Sequence, residues 1–404
     1  MTRRLGVAVD ADAISVAAYG GPVRTAGAVL HLDPAGPVVG GPAEATPHDA
    51  AVFADFTGRV GDPVPVVGAD GSARQAADLL ALAVHALAGP GGVAHMTVAH
   101  PSGWQEHERA TLHAALRRDG LDAPVSFVPR AVAVALRPDV PADVPLLVVD
   151  VGEYATEVSV VRPDRGTGRV VLACARADGL GAALVDRAVL DVVLGGLAPS
   201  AAGPDRAALR GLAVRCREAR HVLATTGSAV VDVALPGFRG PVRVDRRRVD
   251  DVALPRLDAA LDVVLRALGP LPAEATPRLA VLHGDVTATI ARSVSRRTGL
   301  QSPPVAPTAA VAVTAAGLAA ARSGVPRRAV PTIPAPRRNN QPLVPAPRTP
   351  TSVPRAAAEP ARRTTPRVAP HRPGGPRDPH RPGLPRLGQL NPQVGRLATA
   401  LRVS

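Results

Sequence analysis

Residues 146–161 read LLVVDVGEYATEVSVV. Two apolar runs flank a polar middle of Asp150, Gly152, Glu153 and Tyr154. The second run alternates, with Val158 and Val160 on one face and Glu157 and Ser159 on the other. That pattern predicts a strand, a tight turn and a returning strand. A carboxylate and a glycine at such a turn suit a phosphate. A glutamate beside them does not, because a phosphate needs backbone N–H groups.

Outward from this hairpin the body alternates strands and helices. A second hairpin is predicted at 5–20, turning around Asp10 and Asp12. Helices are predicted at 74–89 and 105–120, the latter with Leu112 and Leu116 four apart and Gly120 as its stop. Strands at 94–101 and 123–129 frame the second of these, and a short helix spans 130–136. After 161 come a strand at 168–176, a helix following 178–182, and a long helix from about Asp205 to Ala224. Strands at 229–235 and 241–244 lead to a helix through 249–268. A strand at 278–285 and helices at 287–299 and 307–322 close the body. Glycine-punctuated hairpins beside crossover helices occur twice, which predicts an α/β architecture with an internal duplication.

The chain has 404 residues, room for two or three domains. It contains no lysine, so all 47 basic residues are arginines. With Ala, Val, Gly and Pro dominant, this composition fits GC-rich coding, and arginine is informative only where it is localised. It is localised at 326–404, where 15 arginines face Glu359 and Asp378. Subtracting these from the 47 basic and 34 acidic residues leaves 32 of each for 1–325. The whole formal charge of +13 therefore belongs to the last stretch, which also holds 18 of the 44 prolines. Such a segment has too few apolar side chains to offset the entropy of ordering and is expected to be disordered. Its end, PQVGRLATALRVS, places Val394, Leu397, Ala398 and Leu401 on one helical face and predicts a short helix. The arginine-rich stretch is the only part suited to nucleic acid or another anionic surface, since the body is balanced and poor in aromatics. No apolar stretch reaches the roughly 20 residues of a membrane helix. The N-terminus lacks the apolar core of a signal peptide, so the expected location is cytoplasmic. Cys174 and Cys216 have no metal-type spacing and are expected to be reduced, buried and inert. His95, His100, His107 and His113 form no clear ligand set.

The order of the pieces resembles the ATPase domain of the heat-shock protein 70 chaperones, within the actin and sugar-kinase superfamily. LGVAVDADAISVA sits at the place of the first phosphate loop. GDPVPV (61–66), TVAHPSGWQEHERATLHAALRRDGL (97–121) and VPRAVAVAL (128–136) are similar to the segments up to the first connecting helix. VVDVGEYATEVSVV resembles the second phosphate loop, and GLGAALVD (179–186) the turn after it. CREARHVLATTGSAVVDVALPGFRG (216–240) resembles the adenosine-clasping segment, VLHGDVTATI (281–290) the adenosine loop, and PTAAVAVTAAG the second connecting helix. The resemblance covers nearly all of 5–322. It is nearer still to the divergent actinobacterial branch, which often carries Pro-rich tails and of which some members are encoded beside type VII secretion genes.

The resemblance implies an actin-like ATPase fold. Lobe I would run over 1–140 and lobe II over 141–306, with a closing helix at 307–325 returning to lobe I and the tail at 326–404. It also implies positions for ATP and magnesium: Asp10, Asp12, Asp150, Gly152, Glu157, Gly181, Arg217, Arg220, Gly284 and Asp285. The departures are many. An ungapped match to Gly6 puts Ala8 at the first loop's aspartate, so Asp10 or Asp12 substitutes only after a change of register. The second loop keeps Asp150 and Gly152 but has Glu153, Tyr154 and Ala155 after them, and Glu157 at its second aspartate. The acid expected before Pro129 is Val128. The catalytic lysine has no counterpart. Arg217, Arg220, His221 and Ala224 stand at the adenosine-helix positions, and His283 replaces the glycine before Gly284. Asp150 taken alone also suits a strand-end cap.

No catalytic residue is assigned, and the expected activity is at most a weak ATPase. No peptide-binding domain is expected after the ATPase-like region. The expected function is a degenerate pseudo-ATPase scaffold that binds a protein partner through its tail and cleft, with a secretion-associated role implied only by the resemblance. A nucleotide-gated switch with slow turnover and an anionic-surface binder acting through the tail are the alternatives.

Overall fold

The computed structural model describes residues 2–34, 36–41, 51–166, 168–197, 205–303, 305 and 309–322. The chain divides into two units, Met1–Pro334 and Ala335–Ser404, and the architecture below belongs to the first. The arginine-rich tail and terminal helix expected at 326–404 lie outside the described residues.

In chain order the elements begin with six strands: β1 (Arg3–Val9), β2 (Ala13–Ala18), β3 (Val23–Gly27), β4 (Val29–Asp33), β5 (Gly36–Val39) and β6 (Ala51–Ala54). The two-residue β7 (Val66–Val67) and β8 (Ala73–Arg74) precede α1 (Ala76–Ala88). Then come β9 (Val93–His100), α2 (Glu106–Arg118), β10 (Val125–Pro129) and α3 (Arg130–Ala135). The central hairpin and its continuation are β11 (Leu146–Val151), β12 (Ala155–Asp164) and β13 (Gly168–Asp178). They are followed by α4 (Ala182–Gly195), α5 (Arg206–Thr226), β14 (Ser228–Leu235) and β15 (Phe238–Asp245). The last elements are α6 (Arg246–Ala267), β16 (Leu279–Gly284), α7 (Ala288–Thr298) and α8 (Ala309–Arg322).

Two mixed sheets carry the body. The first has the order β10-β9-β1-β2-β3, with β1, β2 and β3 antiparallel in turn and β9 and β10 parallel to β1 and to each other. The second has the order β13-β12-β11-β16, with the same antiparallel triplet and β16 parallel to β11. The arrangement around β1 is thus repeated around β11, and the two strands lie in different sheets. The duplication read from the hairpins has this physical form, and the mixed α/β class is as expected. All six residues of β11 are buried, as a near-continuous Val/Leu run flanked on both sides requires.

One core lies between the first sheet and α1 and α2, around Leu5, Phe53, Leu79, Leu80 and Leu112. Another gathers α3 and α8 against residues of both sheets, including Ala8, Val148 and Val281. The buried side of α8 is almost all alanine, and the helix packs on β1, β2 and β9. Small residues let the backbones approach closely. A Cβ on Gly6 would lie 2.1 Å from both Ala312 O and Ala316 N.

Strands β3 to β8 were not foreseen in the sequence. They are two to five residues long and interrupted by Gly and Pro, too short for a clear period-2 pattern. Among the described residues, no helix is long and apolar enough to cross a membrane.

Candidate functional site

The turns that follow β1 and β11 meet. The Glu153 N–H donates to the Asp12 carboxylate at 3.2 Å. A Cβ on Gly152 would lie 3.7 Å from the Ala11 Cβ, so the loops are in packing contact. The Thr57 hydroxyl fixes the first turn by donating to the Ala11 carbonyl at 2.5 Å.

Behind these turns lies Arg130, the only polar side chain of α3. It is 7% exposed. One guanidinium nitrogen sits 2.8 Å from Asp10 Oδ1. Arg130 also donates to Asp150 Oδ2 and to the Val9 carbonyl. The planar fork of the guanidinium suits this bridging, because it reaches several acceptors without losing its charge. Burial pushes the Asp10 carboxyl up to about 7, against the pull of Arg130 and with Asp150 and Asp12 adding to the rise. Burial raises Asp150 as well, again opposed by Arg130. For Arg130 burial acts downward, but Asp150, Asp10 and Glu157 outweigh it and hold the guanidinium charged.

Glu157 pairs across β11–β12 with Asp150 and is buried. Its carboxylate accepts the Ser102 N–H at 2.8 Å and the Gly103 N–H at 3.2 Å, from the turn after β9. The Ser102 hydroxyl in turn accepts the Ala131 N–H at 3.1 Å. One carboxylate therefore ties β12 of the second sheet to the end of β9 in the first.

The remaining expected residues build an adjoining network. The Ala182 and Ala183 N–H groups at the start of α4 donate to the carbonyls of Gly152 and Glu153 at 3.1 and 2.9 Å. Gly181 permits this, since a Cβ there would meet Glu153 O at 2.4 Å. Gly284 has φ +86 and touches Val151, whose carbonyl accepts the Asp285 N–H at 2.7 Å. Arg220 is 4% exposed and bonds Asp186 at 2.6 Å and both Asp285 oxygens at 3.1 and 3.2 Å. Arg217 pairs with Glu153 and reaches Asp186 at 3.6 Å. Beside Arg220 a crevice of about 20 Å³ is lined by Leu223, Ala224, Val249 and Thr287, room for about one water.

All ten residues marked in the sequence thus fall in two adjoining networks, joined through Gly152 and Glu153. Sequence reasoning missed Arg130, Asp186 and His283 as members. His283 is fully buried beside Asp150 on the adjacent strand, and both ring nitrogens lack a hydrogen-bond partner. An arginine opening an otherwise apolar six-residue helix was the available signal for Arg130.

Comparison with known proteins finds no matching family model and no significantly similar curated protein.

A titratable neighbour reports on the turn that Glu157 holds. His100 is 1% exposed, bonds the Pro101 carbonyl through Nδ1 at 2.8 Å, and stacks on Trp104 with centroids 5.6 Å apart. Burial pushes this imidazole down to about 4. A depressed histidine stabilises the fold above its unfolded value near 6.5, and that contribution is lost as pH falls toward 4. Between pH 6.5 and 5 the loss is about 2 kcal/mol. Asp10 acts in the opposite direction over about the same range, because its folded value is raised. The difference between wild type and His100→Phe therefore isolates His100. Urea unfolding at pH 7 and pH 5 is expected to show the variant losing about 2 kcal/mol less than wild type. Equal losses would place the imidazole in solvent.

Proposed function

We propose that this chain is a heat-shock-protein-70-like nucleotide-binding-domain protein whose nucleotide site is filled by its own side chains. It acts as a pseudo-ATPase scaffold for a protein partner. On this reading the two sheets belong to the lobes of an actin-like ATPase fold, 1–140 and 141–306. Helix α8 is then the closing helix of 307–325 returning to lobe I.

The observation that carries the reading is Arg130 between Asp10 and Asp150. In a phosphate-binding cleft, carboxylates from two loops face a metal ion and a nucleotide. Here an internal guanidinium holds them. The Glu153 N–H, which a phosphate oxygen would take, is given to Asp12 instead. Arg217 and Arg220 are engaged by Glu153, Asp186 and Asp285. The crevice beside Arg220 is far below the size of a nucleoside. These residues do not fit magnesium and a triphosphate, and a carboxylate facing the phosphates would repel them by a few kcal/mol at an effective dielectric near 20. Arg130 and the Glu153–Asp12 bond hold the two loops as a fixed surface, which suits a docking scaffold better than a nucleotide-driven switch.

Calorimetric titration of the full chain with ATP and magnesium tests this. The expected result is no saturable binding below about 1 mM, since two missing charge-assisted contacts of about 1.5–3 kcal/mol each cost on the order of a hundredfold or more. Micromolar binding, or turnover abolished by Asp150→Ala, would overturn the reading in favour of the nucleotide-gated switch.

A further inference from the structure

Arg130 holds one oxygen of each carboxylate, Oδ1 of Asp10 and Oδ2 of Asp150. Asp10 Oδ2 is buried with no hydrogen-bond partner, and so are Nδ1 and Nε2 of His283. These orphans are not scattered. One ligand atom each from Asp10, Asp150 and His283 lies within 4.8 Å of the other two. The strands explain the convergence: His283 and Asp150 are register partners on the parallel pair β11–β16, and paired residues project to the same face. Asp10 arrives from the end of β1. Buried polar atoms without partners are costly, and three of them within one such cluster imply a guest.

We propose that Asp10, Asp150 and His283 form a site for a divalent transition ion of the zinc class. Two carboxylates with one imidazole make a mixed oxygen and nitrogen donor set, which favours zinc-class ions over magnesium or calcium. The charge balance agrees. Arg130 offsets one of the two carboxylates, and a divalent ion offsets the other together with the buried Glu157 opposite Asp150. Arg130 also fixes the orientation of both ligating carboxylates, the part that outer partners play around bound metals. Zinc bonds of about 2.0–2.1 Å put donors about 3–4 Å apart, within the 4.8 Å that bounds the three here. The ion would join the end of β1 to β11 and β16, and so clamp the two sheets. The inference rests on the orphaned atoms and stands whether or not the chain binds a protein partner.

The test uses the full chain, stripped with chelator and titrated with zinc chloride by calorimetry, with X-ray absorption at the zinc edge on the loaded wild type. The expected result is one equivalent bound in the low micromolar range or tighter, with a shell of one imidazole plus oxygens. His283→Gln and Asp10→Asn should each weaken binding by about 100-fold or more. His371→Ala with His380→Ala, in the arginine-rich tail, should leave it intact. Loss of binding in that tail pair, an all-oxygen shell or no saturable uptake would each overturn the site, the last leaving a buried water as the guest. The absorption measurement on wild type decides the matter even if the His283 variant fails to fold.

Discussion

Arg130→Met is expected to lower the free energy of unfolding by about 3–5 kcal/mol at pH 7.5, the usual cost of removing one partner from a buried ion pair. Methionine fills similar space, so packing changes little. What changes, in chelator-stripped protein, is charge: Asp10 and Asp150, both buried, are left facing each other without a cation. The sign of the pH dependence follows. Burial already raises both carboxyls, so protonating them removes the repulsion, and the loss in the variant shrinks from pH 7.5 to pH 5. Adding Asp10→Asn and Asp150→Asn to Arg130→Met should recover much of the stability at pH 7.5, because a neutral set replaces a broken charged one. Denaturant midpoints for the single and triple variants at both pH values check this. An unchanged midpoint in Arg130→Met would mean that the guanidinium neutralises nothing there.

Gly6→Ala is the second large effect. The new Cβ would meet Ala312 O and Ala316 N at 2.1 Å, and both are backbone atoms that no rotamer change can move. Helix α8 must shift off β1, losing the contacts of its alanine face. The expected cost is about 3 kcal/mol or more, the upper range for overpacking. Amide exchange should rise along 309–322. Gly27→Ala is the control, because the nearest atom to its Cβ is Asp12 O at 3.9 Å. Comparable destabilisation in both variants would show that α8 is not seated on β1 as described.

The central hairpin, the helices and the duplication were legible because their signals are local: apolar runs, leucine spacing and glycine stops within ten or twenty residues. The short strands β3 to β8 were not, since two to five residues cannot display a period. The candidate site divides in the same way. Asp10, Asp12, Asp150 and Gly152 could be marked because they lie in or beside the turns of two hairpins. The partners that give them meaning are far away in sequence. Arg130 is 120 residues from Asp10, and Glu157 is 55 residues from Ser102. Arg220 could be marked from its own segment, but its acceptors, Asp186 and Asp285, come from a helix and a turn on either side of it in sequence. Identity at a position could be read; occupancy by a neighbour could not.

The seating of α8 on Gly6 also sets a timetable. Strand β1 is synthesised well before the helix that covers it, which ends at Arg322. Until then one face of the opening strand has no cover. At about 5–20 residues per second, adding the stretch between Val9 and Ala309 takes about 15–60 seconds. Docking of a short helix is a matter of milliseconds to seconds for elements already tethered. The wait is therefore set by synthesis and not by docking, and the face of β1 under α8 must stay free of other partners for that time.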